Sequence, residues 1–180
     1  RQDLIPPYLR FLRGVIDSED LPLNISREML QNNPVVTKIR SSLVKRTISD
    51  LRKKLNSDKN DYINFWNNFG PVLKEGIYED FERKESILEI ALFKQSASSE
   101  LITLNEYISN MQKKQKDIYF ITGDNYESVI NNPSLEGYKS RNINVLILDD
   151  PVDSFWTSST PSYKENNFKS VTQGIDDLDK

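Results

Sequence analysis

Two nearly unbroken apolar runs constrain this chain most: Ile118-Tyr119-Phe120-Ile121-Thr122, bounded by Asp117 and Gly123, and Val145-Leu146-Ile147-Leu148. A strand with one wetted face alternates apolar and polar residues, whereas a run without alternation is covered on both faces, as parallel strands under helices are. Between the runs lies a helical stretch interrupted at Asn132-Pro133. Strand, helix and strand in this order predict a right-handed parallel crossover, and with it an α/β fold. Phe168 to Val171 predicts an edge strand, followed by a polar, frayed tail.

Upstream the text is mostly helical. Pro6-Pro7-Tyr8-Leu9-Arg10-Phe11-Leu12 fits a short helix opened by proline and broken by Gly14, and Val15-Ile16 is a brief strand candidate that needs partners. Asn33 as cap and Pro34 in the first turn start a long helix to about Asn56, with Val35 or Val36, Ile39, Leu43, Ile48, Leu51 and Leu55 as its apolar stripe. Tyr62, Phe65, Trp66 and Phe69 recur at helical spacing as core until Gly70-Pro71 ends the segment. Helical segments follow around Val72 to Tyr78 and Phe81 to Phe93, the second burying Ile87, Leu88, Ala91 and Leu92. Ser96 to Glu100 is a polar turn, and Thr103 caps a helix from Leu104 to Met111. The expected organisation is 1–56 with a long helix, a helical connector over 57–92, and a small α/β unit over 93–180.

Composition removes most chemistry. The chain of 180 residues holds no Cys and no His, so disulfides, thiolate metal sites and Ser/His or Cys/His nucleophile pairs are excluded. A net charge of -3 argues against a nucleic-acid field over the whole chain, although Lys38, Arg40, Lys45, Arg46, Arg52, Lys53 and Lys54 make one helix strongly basic. A solvated face is the ordinary meaning of such a helix; the functional alternative is an interaction module binding RNA or an acidic partner. No apolar run is long enough to span a bilayer and no secretory signal opens the chain, so a cytoplasmic setting without membrane contact is expected. Starting at Arg1, it reads as part of something longer.

The stretch from Asp17 to Gln31 carries the most functional information. Asn24 and Ser26 precede a short helical run, which puts Arg27 in its first turn and Gln31 four residues on, on the same face. A guanidinium beside a helix mouth and a side-chain amide is a donor cluster suited to phosphate oxygens. Elsewhere, Gly123-Asp124-Asn125 follows the first strand where phosphate ligands often sit, but it lacks the glycine repeat of a nucleotide loop. Asp149, Asp150 and Asp153 could hold magnesium, though caps and turns are their commoner use. Phe155 and Trp156 beside them are either core or an exposed apolar patch for a partner.

The residues Leu12 to Gln31, containing Arg13-Gly14-Val15-Ile16-Asp17-Ser18-Glu19-Asp20-Leu21-Pro22-Leu23-Asn24-Ile25-Ser26-Arg27-Glu28, closely resemble the middle domain of the ninety-kilodalton heat-shock chaperones of bacterial type. Phe69-Gly70-Pro71, Leu73 to Asp80 and Ile118 to Gly123 extend the resemblance over nearly the whole chain. It implies the later part of that domain: the end of a larger α/β subdomain, a helical connector, and a small α/β sandwich with parallel strands. It also implies that Arg27 reaches the terminal phosphate of ATP, with Asn24 and Gln31 in the same catalytic loop. The nucleotide and its magnesium would be held by a preceding N-terminal domain and none by this fragment, which would not be an enzyme alone while its full-length, homodimeric parent is an ATPase. Unfolded or partly folded client proteins would be the partners, with Phe155 and Trp156 as their contacts.

Overall fold

The computed structural model of the chain describes residues 4–20 and 33–173. It divides into two compact units, Arg1–Tyr62 and Ile63–Lys180.

In the first unit, Pro7–Leu9 forms a short 3-10 turn with Tyr8 and Leu9 buried. Val15, further on, is 95% exposed and belongs to no helix or strand. The expectation of a strand at Val15-Ile16 is not met: neither residue is in a strand, and no strand pairs with them among the described residues. Helix α1 spans Pro34–Ser57, and the Asn33 side chain accepts a hydrogen bond from the Val35 amide at 2.8 Å. This is the expected pairing of a cap with a proline whose missing N–H would be unpaired anyway. Its most buried positions are Val36, Val44 and Ile48, four to eight residues apart, with Ile39, Leu43, Leu51 and Leu55 flanking them half-buried.

Helix α2 spans Lys59–Glu79, and the Asp58 carboxylate accepts from the Asp61 amide at 3.1 Å in its first turn. It passes straight through Pro71, where the sequence predicts a stop. Proline removes one helical hydrogen bond, to the carbonyl of Asn67, and Asn67 is exposed, so water can supply the donor. Gly70 is there for packing: a Cβ on it would stand 2.6 Å from the Trp66 indole. Among the aromatic residues, Tyr62 and Trp66 are buried, whereas Phe65 and Phe69 pair with ring centroids 5.5 Å apart and Phe69 is partly exposed.

A 3-10 turn, Phe81–Arg83, leads into helix α3, Lys84–Ile90. This helix stops short of the expected Phe93, because Ala91 to Phe93 is already extended and feeds strand β1, Lys94–Gln95. Ile87, Leu88, Ala91 and Leu92 are all buried as expected, the last two from extended chain. Helix α4, Leu104–Ser109, opens with a reciprocal cap in which Thr103 Oγ1 accepts from the Glu106 amide at 3.1 Å and contacts its carboxylate at 3.2 Å.

The remaining strands are β2 (Ile118–Thr122), β3 (Leu146–Leu148), β4 (Ser162–Tyr163) and β5 (Asn166–Ser170), in a five-stranded sheet of order β1-β3-β2-β5-β4. β2 is parallel to both β3 and β5, while β1 and β4 add antiparallel edges. The segment expected as an edge strand, Phe168 to Val171, supplies the last three residues of β5, which pair with β2, while β4 pairs only with Asn166 and Asn167 before it; Val171 already belongs to a 3-10 turn, Val171–Gln173. One sheet face carries Tyr119, Ile121, Val145 and Ile147 and packs on Val129 of helix α5 (Tyr126–Ile130), on Leu135, and on Tyr138 of helix α6 (Glu136–Ser140). On the other face the rings of Phe120, Phe168, Trp156 and Phe93 follow one another at centroid distances of 6.4, 5.4 and 5.8 Å. Both faces of β2 and β3 are covered, which is what their unbroken apolar sequence requires.

Two local features generate tests. Gly123 follows β2, and a Cβ there would overlap the Val129 Cγ2 methyl. Gly123→Ala is expected to cost about 1–3 kcal/mol in urea unfolding, and Gly123→Ala with Val129→Ala should recover part of it by clearing the space.

The Tyr107 hydroxyl donates to the Asn144 carbonyl at 2.5 Å and accepts from Gln115 Nε2 and the Tyr119 amide at 3.0 and 3.1 Å. Burial raises its pKa and that of Tyr62 above the ordinary 10.0. The folded chain therefore keeps protons that the unfolded chain releases, so this stability is complete below about pH 10 and declines as the pH rises further. In an alkaline titration, the tyrosinate absorbance of Tyr62 and Tyr107 should appear only with unfolding; their ionisation in a still-folded chain would refute the assignment.

Candidate functional site

The most unusual chemistry of the second unit lies where helix α2 meets the carboxyl end of β3. Lys74 sits one turn before Tyr78 on α2, in a stretch whose neighbours Leu73 and Ile77 are buried. The residue is 4% exposed, a rare place for an ammonium. Lys74 Nζ donates to Asp153 Oδ1 at 2.7 Å, pairs with Asp150 Oδ2 at 2.7 Å, and lies 5.8 Å from the centroid of the Phe93 ring.

Asp153, itself 1% exposed, begins helix α7 (Asp153–Ser159). Its Oδ1 also accepts from Trp156 Nε1 at 2.7 Å, and its Oδ2 accepts from the Asp150 amide at 2.9 Å. The Asp153 amide returns a bond to the Asp150 carbonyl at 2.9 Å, closing a turn around Pro151. One carboxylate thus joins a cation, an indole and a backbone turn. Burying these charges costs several kcal/mol per ion on general grounds, and what offsets it is the completeness of the pairing. Beside it, Asp149 pairs with Lys94 at 2.5 Å. The same junction borders a cleft of about 130 Å³ walled by Trp66, Pro71, Lys74, Phe93 and Asp150.

Asp149, Asp150 and Asp153 are therefore engaged by lysines. Among the described residues no group of His, Cys, Asp or Glu is arranged to hold a metal ion.

Phe155 and Trp156 part company. Phe155 is 64% exposed, with its ring 6.0 Å from that of the partly exposed Tyr78. Trp156 is fully buried between Phe93 and Phe168. Trp156 as a surface contact is thus corrected: its neighbours Thr157 to Ser159 are polar, but Asp153 three residues earlier supplies the partner that lets the indole N–H be buried. Only Phe155 of the pair reaches the surface. Phe81, 86% exposed, opens a 3-10 turn where the sequence predicts a helix from Phe81 to Phe93, and neither Phe81 nor Lys74 is among the residues that the sequence singles out as a site. The signals were present as a lysine inside an apolar helical stripe and as the spacing Asp-x-x-Trp.

Asn24, Arg27 and Gln31 lie outside the described residues. On α1, Lys38, Lys45 and Lys53 are exposed, while Arg46 pairs with Asp50 and Lys54 with Asp61. Among the described residues no helix is long and apolar enough to cross a membrane.

The second unit is thus an α/β sandwich in which a buried lysine joins a helical segment to the sheet's carboxyl end. The family model described as Hsp90 protein matches residues 1–180, and the chain belongs to that family. It is 52% identical over 179 residues to chaperone protein HtpG of Paramagnetospirillum magneticum, covering 99% of this chain and 29% of the relative. The Orientia tsutsugamushi chaperone protein HtpG is 49% identical over 176 residues, with 98% and 28% covered. The chain thus spans under a third of the length of these relatives. Among solved structures, the middle domain of a Plasmodium falciparum heat shock protein matches with a TM-score of 0.74 and 32% identity, over 80% of this chain and 61% of that one.

The Lys74 network makes a direct prediction. Lys74→Met strands a buried carboxylate and should cost about 3–5 kcal/mol, whereas Lys74→Arg keeps a cation beside Asp153 and should cost less. Urea unfolding of the two variants checks this; wild-type stability in Lys74→Met would show that the network contributes nothing.

Proposed function

We propose that this chain is the later part of the middle region of an ATP-dependent molecular chaperone, contributing to ATP hydrolysis without hydrolysing ATP alone. The observation that supports this most is the family match over residues 1–180, joined to about half identity with chaperones named HtpG. In this reading 1–56 carries the catalytic loop and long helix, 57–92 is a helical connector, and 93–180 is the small α/β unit. Arg27 reaches the terminal phosphate of a nucleotide held, with its magnesium, by a preceding domain, and Asn24 and Gln31 shape the loop that presents it. The parent protein is a cytoplasmic homodimer whose partners are unfolded or partly folded polypeptides.

The physical case for Arg27 rests on its side chain. A guanidinium stays charged at any working pH and offers a planar fork of donors, so it can neutralise charge that grows on a phosphoryl group during transfer. Supplied by one domain and used by another, it makes turnover wait for domain closure. For client contact, Phe155 supports the reading by standing exposed beside Tyr78.

In the full-length protein, Arg27→Ala is expected to leave nucleotide binding nearly unchanged and to slow hydrolysis about 10²- to 10³-fold. Steady-state turnover alongside a nucleotide-binding titration measures both; wild-type turnover in the variant overturns the assignment.

A further inference from the structure

We propose that Lys74 and Lys84 are positioning residues that hold Phe155 at the surface by clamping the two ends of the helix that carries it. The inference rests on the reading of Phe155 as a client contact. Helix α7 is only 7 residues long, too short to persist without tertiary support. Its first residue, Asp153, is held by Lys74 from α2. Near its other end the carbonyl of Ser159 accepts from Lys84 Nζ of α3 at 2.5 Å. A cation there satisfies a carbonyl that has no partner within the helix and complements the negative end of the helix dipole.

The geometry between the clamps explains their use. Trp156 anchors α7 inward, so the adjacent Phe155 projects outward. Lys74 and Tyr78 lie four residues apart on one face of α2, and that face grips α7 twice, through the ammonium on Asp153 and the ring against Phe155. Lys84 does the same for a second exposed ring, its ammonium lying 5.9 Å from the centroid of Phe81. Burial lowers the Lys84 pKa from its ordinary value, as a seat against the protein implies. A ring held in place before binding loses less freedom when a polypeptide arrives, so the clamps act on affinity through Phe155 without touching the client.

The test uses the full-length protein with 4-fluorophenylalanine at position 155 and, separately, its affinity for reduced, carboxymethylated lactalbumin as an unfolded probe. Lys74→Met and Lys84→Met should each shift or broaden the narrow fluorine resonance of the parent, and Lys74→Arg should preserve it. Lys84→Met breaks only a peripheral contact, so it decides the matter if Lys74→Met fails to fold.

Phe155→Ala should weaken probe binding about tenfold, and Lys84→Met about threefold, while the double variant should bind no more weakly than Phe155→Ala alone. Unchanged fluorine spectra in the lysine variants, or independent additive losses in the double variant, overturn the proposal. Altered spectra with undiminished probe binding by Phe155→Ala would support positioning and overturn the client reading instead.

Discussion

The Asp153 carboxylate governs the second unit. It receives the Lys74 ammonium, the Trp156 indole and the Asp150 amide within 2.9 Å, with both Asp153 and Lys74 buried. Each donor alone would leave an expensive buried charge, and together they fix where α2, the end of β3 and α7 meet. The aromatic packing depends on that meeting, because Trp156 can lie between Phe93 and Phe168 only when its N–H is satisfied.

Around this junction the sheet behaves as its composition demands. β2 is the centre, parallel to a neighbour on each side, and its residues alternate between a face packed on α5 and α6 and a face packed on Phe168 and Trp156. The short antiparallel strands β1 and β4 close its edges. Such edges leave little unpaired backbone for unwanted association. Among the described residues of the second unit, the exposed large apolar side chains are rings on helical segments: Phe69, Tyr78, Phe81 and Phe155.

Much of this was legible in the residues. The buried parallel strands followed from two apolar runs, the helix starts at Pro34 and Leu104 from their caps, and the family from phrases such as Leu12 to Gln31. The errors share a cause. Gly70-Pro71 was read as punctuation when Gly70 makes room for Trp66, and β4 was invisible because two polar residues beside a turn have no periodicity to read. Of the two aromatic residues expected as partner contacts, Phe155 is exposed and Trp156 buried, since adjacent helical residues point in different directions and only the packing tells which one is inward.

By itself the sequence determined what local chemistry can determine: where helices begin, which strands must be covered, and which reactions a chain without Cys or His cannot perform. Caps, apolar runs and missing nucleophiles act over a few residues or by simple absence, so no fold is needed to read them. Tertiary structure alone decided that Lys74 would meet Asp153, 79 residues away, and that the tryptophan beside Phe155 would be buried. A long-range ion pair has no local signature, because any exposed lysine and aspartate look the same in sequence until the packing of helix and sheet removes the water between them.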